Sequence, residues 1–122
     1  MTILHVDLSP NGAREKTALS WLDREERDRW QRFRVERPRR EFALCRAALR
    51  ANLCERIRCM NDQLSFGTGE YGKPFAIVGH VQSNSSFNVS HSGMHGLIAF
   101  APQGQLGVDV EERVARPNLD GI

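Results

Sequence analysis

Two carboxylates near the end of this chain of 122 residues stand at a spacing suited to chemistry on a charged substrate. In Gly107-Val108-Asp109-Val110-Glu111 a strand conformation turns Asp109 and Glu111 to one face and the two valines to the other. Left unpaired they would repel, so a hard cation such as Mg²⁺ is a natural partner, holding both ionised and lending its open positions to phosphate oxygens. An edge strand with a wet acidic face has the same pattern. One hairpin earlier, Phe87-Asn88-Val89-Ser90-His91-Ser92 ends an apolar strand in hydroxyls and an imidazole. If the strands pair in sequence order, His91 approaches the carboxylates and, when protonated, donates to a phosphate; a solvated strand end reads the same way. Tyr71-Gly72-Lys73-Pro74 is a tight loop in which glycine lets a ligand approach the backbone and proline stiffens the exit.

The basic residues add to this pattern. Of 17 lysines and arginines only Lys16 and Lys73 are lysines, and most arginines crowd between positions 24 and 58. The planar guanidinium fork suits phosphate, although an arginine-rich genome and a solvated helix face account for the crowding equally. Acidic residues interspersed among the arginines, and no evident exposed aromatics for stacking, argue against a nucleic-acid binder, and the net charge of +2 favours no such partner. No apolar run reaches membrane-spanning length, and positions 1–11 are too broken by His5, Asp7 and Pro10 for a signal peptide. Cys45, Cys54 and Cys59 have the spacing of neither a zinc knuckle nor a redox pair, so reduced packing thiols in a cytoplasmic protein are expected.

The elements that must position these residues follow from hydrophobic periodicity. Ile3 to Leu8 alternates as a half-buried strand, closed by Ser9-Pro10-Asn11-Gly12. Asp23 and Glu26 have capping-box spacing, with Leu22, Trp30 and Phe33 as an apolar stripe, which predicts a short helix over 24–34. Pro38 then interrupts. Phe42, Cys45, Leu49, Leu53 and Ile57 recur at steps of three and four and predict a second, longer helix, with Arg39, Arg46 and Arg50 as a stripe at its core margin. Short strands at 64–66, 75–78, 87–91, 97–101 and 106–111 read as an antiparallel meander. The fold class is therefore α+β, two amino-terminal helices on a small, mainly antiparallel sheet: one lobe over 1–105, with 106–122 beginning another.

Taken in order, YGKP at 71–74, FNVSHS at 87–92 and GVDVE at 107–111 resemble the consecutive motifs of Sfp-type 4′-phosphopantetheinyl transferases, and WLDREERDRWQRF with REFALCRAALR resembles that family's amino-terminal helices. The resemblance implies one lobe of a pseudo-twofold fold. It also implies Mg²⁺-dependent transfer of the 4′-phosphopantetheine arm of coenzyme A to a serine of an acyl or peptidyl carrier protein. By the same resemblance Asp109 and Glu111 match the metal ligands. Tyr71, Gly72, Lys73 and Pro74 fall around the adenine, and Asn88, Val89, Ser90 and His91 along the phosphates, with His91 at the 3′-phosphate. Arg29 matches a basic residue for that phosphate, and Arg39, Arg40 and Arg46 are further candidates. Catalysis would rest on Asp109, Glu111 and His91. The family continues into a second lobe with a W-x-x-K-E-type motif, which does not occur in these residues. Half an active site is the corresponding expectation. Three other readings stand beside it: an inactive coenzyme A-binding lobe, a carrier-binding module, and a chain completed by self-association or by a complementing carboxy-terminal lobe.

Overall fold

The computed structural model describes residues 2–101. Its elements are β1 (Thr2–Asp7), α1 (Gly12–Trp21), α2 (Arg24–Arg32), α3 (Glu36–Ile57), β2 (Leu64–Thr68), β3 (Pro74–Val78), β4 (Val81–Gln82), β5 (Ser86–Ser92) and β6 (His95–Ala101). The α+β class is as the sequence implied, with three helices and two three-stranded antiparallel sheets.

Helix α2 begins where the capping box predicts. The Asp23 carboxylate accepts from the Glu26 backbone N–H at 2.8 Å, and Glu26 Oε1 accepts from the Asp23 N–H at 2.9 Å. Helix α3 starts two residues before Pro38 rather than after it. In the first turn of a helix a backbone N–H has no partner within the helix, so proline removes nothing there. The helix stops at Arg58, which adopts a left-handed conformation, while the Cys59 N–H returns to the Cys54 carbonyl at 3.1 Å. Helix α1 has no counterpart in the sequence expectation. It is capped by Asn11, whose side chain accepts from Arg14 N at 3.0 Å, and Glu15 accepts from Asn11 N at 2.9 Å.

Helix α3 organises the core along its length. Its first half packs Ala43, Leu44, Cys45 and Ala47 with Leu8, Ala18 and Leu22. Its second half packs Leu49 and Leu53 with Leu64, Ala76, Phe87, Ile98 and Phe100 from both sheets. Gly96 of β6 lies beneath this helix, where an added Cβ would sit 3.1 Å from Cys45 Sγ.

The strand order corrects the meander expectation. One sheet runs β1-β6-β5 and the other β2-β3-β4. Strand β6 pairs with β5 along one edge and with β1 along the other. Among the described residues both edges of β6 are therefore paired, one of them with the amino-terminal strand β1. The segment 106–111, with Asp109 and Glu111, lies outside the described residues, as does the expected second unit over 106–122.

Candidate functional site

Alternation along β5 decides which of its residues reach the helices. Phe87, Val89 and His91 share the inward face, opposite Phe100, Ile98 and Gly96 of β6. Asn88 and Ser90 take the outer face, opposite Ala99 and Leu97, and are exposed. Val89 and His91 then line a cavity of about 500 Å³ whose other walls include Arg29, Phe42, Arg46 and Pro74. A second cavity of about 440 Å³ shares Arg29, Arg46 and Pro74 with the first and is also lined by Arg32, Phe66 and Gly72. Two arginines and one proline thus stand at the wall common to both spaces.

The two arginines are held differently. The Arg29 guanidinium lies 4.8 Å from the Phe42 ring centroid and makes no ion pair with any described residue. Arg46 sits between Phe66 at 4.7 Å and Phe42 at 5.3 Å, and its Nη1 donates to Glu26 Oε2 at 2.9 Å. Glu26 is buried with two arginine partners, because Arg50 Nε also donates to its Oε1 at 2.6 Å. A carboxylate removed from water needs such partners to stay ionised. The remaining guanidinium donors of Arg46 are available to an anion in the cavity.

Other arginines of the predicted set turn inward. Arg40 is buried, its Nε donating to the Leu8 carbonyl at 2.8 Å, and it lines neither cavity. Arg39 stacks on Trp30 at 4.8 Å and donates to the carbonyls of Trp30, Gln31 and Phe33, satisfying the end of α2. Both serve the fold.

The Tyr71 to Pro74 loop divides likewise. Gly72 and Pro74 line the cavities, whereas Tyr71 is fully exposed with φ 59° and Lys73 is exposed. Closing bonds run from Gly69 N to the Lys73 carbonyl at 2.7 Å and from Gly72 N to the Gly69 carbonyl at 3.2 Å.

Glu41, Phe33, Pro38 and Phe42 also line the first cavity, and none was among the site residues expected from sequence. Glu41 had a signal: it continues the four-residue steps of Cys45, Leu49 and Leu53, so its charge stands on the apolar face of α3. Its neighbour Cys45 is a packing thiol, pushed by burial, and secondarily by the Glu41 charge, up to about 11. Among the described residues no group of three or more histidines, cysteines or carboxylates can hold a metal, and no helix is long and apolar enough to cross a membrane.

Two arginines, a glycine-proline loop and a strand-end histidine thus meet around adjoining cavities between the helices and the sheets. Residues 8–103 match the family described as 4′-phosphopantetheinyl transferase, N-terminal, and the chain belongs to that family. It is 35% identical over 97 residues to a protein of Synechocystis sp. whose name assigns it as a 4′-phosphopantetheinyl transferase; the match covers 80% of this chain and 39% of that protein. A phosphopantetheinyl transferase of Thraustochytrium sp. is 29% identical over 102 residues, or 84% of this chain and 35% of that one. The chain thus spans under two-fifths of the length of these relatives.

Proposed function

We propose that this lobe binds the 3′-phosphoadenosine end of coenzyme A and serves the transfer of 4′-phosphopantetheine to a serine of an acyl or peptidyl carrier protein. The carrying observation is that residues from three separate motifs, Arg29 and Arg46, Pro74, and Val89 with His91, line one cavity. A nucleotide with three phosphates needs several donors around a dry aromatic wall, which Phe42 and Phe87 supply there. In the reaction the carrier serine oxygen bonds to the β-phosphorus. The pyrophosphate P–O bond breaks, and adenosine 3′,5′-bisphosphate leaves.

Asp109 and Glu111 are the oxygen ligands suited to a Mg²⁺ ion, which when bound would neutralise pyrophosphate charge. Both lie outside the described residues. The chain's own described contribution is recognition: Arg29 and Arg46 hold phosphate, and the imidazole of His91 donates a further hydrogen bond.

Titration calorimetry with coenzyme A tests the recognition. Arg29→Ala should weaken binding about ten- to a hundredfold, the value of a charge-assisted hydrogen bond. Failure of the unaltered chain to bind coenzyme A sinks the reading. Transfer is read from the intact mass of an apo carrier protein incubated with the chain, coenzyme A and Mg²⁺, with Asp109→Ala as control. A phosphopantetheine gain absent from the control supports turnover; binding without gain supports a coenzyme A-binding lobe that does not transfer.

A further inference from the structure

Glu41 is only 12% exposed at its side chain, on an otherwise apolar helix face. A carboxylate so placed must be compensated. Its Oε2 accepts from Arg37 Nε at 3.0 Å, and its Oε1 lies 3.8 Å from His91 Nδ1, just beyond hydrogen-bond length. Arg37 in turn donates through Nη2 to the Gly93 carbonyl at 2.9 Å. Gly93 belongs to the turn joining β5 and β6, where its φ of 59° requires glycine-like freedom. The first turns of α3 are thus tied twice to the end of the hairpin, once through the turn backbone and once at His91.

We infer that Glu41 is a positioning residue for His91, holding the Nδ1 side of the imidazole against α3 so that Nε2 faces the nucleotide phosphate. This rests on the functional reading above. The His91 side chain is 54% exposed at a strand end, and no described residue hydrogen-bonds it. Such a ring samples several rotamers, and restricting it before binding lowers the entropy lost when the ligand arrives. A bare carboxylate beside a phosphate site would repel the ligand. Arg37 offsets that charge, so Glu41 acts on the ring at little electrostatic cost.

The test is the affinity ratio of coenzyme A to 3′-dephospho-coenzyme A on the 122-residue chain, for the unaltered protein, Glu41→Ala, Glu41→Gln, His91→Ala and the double variant Glu41→Ala/His91→Ala. Glu41→Ala should lower the ratio about three- to tenfold, and His91→Ala by a similar factor, as expected for one oriented hydrogen bond. Glu41→Gln, which keeps the acceptor and the side-chain volume, should retain most of it. Adding Glu41→Ala to His91→Ala should change nothing more. A full ratio in Glu41→Ala overturns the inference, as does an equal effect of that change with or without His91. So does a Glu41→Gln chain that melts normally yet falls as far as Glu41→Ala. Equal affinity of the unaltered chain for both nucleotides sinks the functional reading and this inference together, a result distinct from the others.

Discussion

Arg50 is fully buried and uses every face of its guanidinium. Nε donates to Glu26 at 2.6 Å and Nη2 to Asp23 at 2.7 Å, while Nη1 reaches the Asn61 side chain and backbone and the Leu64 carbonyl. One side chain therefore ties the start of α2 to the middle of α3 and the start of β2. Replacing it with Met should destabilise the chain by about 3–5 kcal/mol in urea unfolding, because Glu26 then keeps a buried charge with one cation fewer. Arg50→Lys should recover only part of this, since an ammonium cannot present a planar fork to four partners. The sequence made the stripe of Arg39, Arg46 and Arg50 legible but not the roles within it. Spacing fixes which face of a helix an arginine occupies. Whether it meets a carbonyl, a carboxylate or an open cavity depends on distant residues such as Phe33, Glu26 and Phe66.

Among the elements, those with strong local chemistry were readable and those held by tertiary packing were not. Asp23 and Glu26 announce α2 through a reciprocal cap, and the apolar steps from Phe42 to Ile57 announce α3. Helix α1 buries only Ala18, so it has little periodic signal, and its Asn11 cap resembles a turn. The β2–β3 pair illustrates a further constraint hidden from sequence. Gly67 is opposite Phe75, and a Cβ there would lie 2.5 Å from the end of that ring. Replacing a strand glycine normally helps. Here Gly67→Ala should instead cost about 1–3 kcal/mol, because the ring must leave its place beside the loop that leads to Pro74. Thermal unfolding of the variant decides the sign.

At the scale of the whole chain, the site lies where α2, α3 and both sheets converge, which explains why motifs far apart in sequence line one cavity. The α+β class and most strand positions were legible, since alternation and turn residues are local. The division into two sheets was not. Strand β1 crosses to pair with β6, 88 to 98 positions away, and no local pattern encodes a partner at that distance. That crossing also leaves a dynamic trace. Among the described residues, β6 is the only strand of its sheet with neighbours on both sides. In deuterated water its amides should exchange slowest, at rates set by global unfolding, while β1 and β5 show an odd–even pattern in which bonded amides persist and outward ones are lost early. Uniform protection across all three strands would mean that a further strand covers an outer edge in solution. An unprotected β6 would mean that the sheet opens without the rest of the chain.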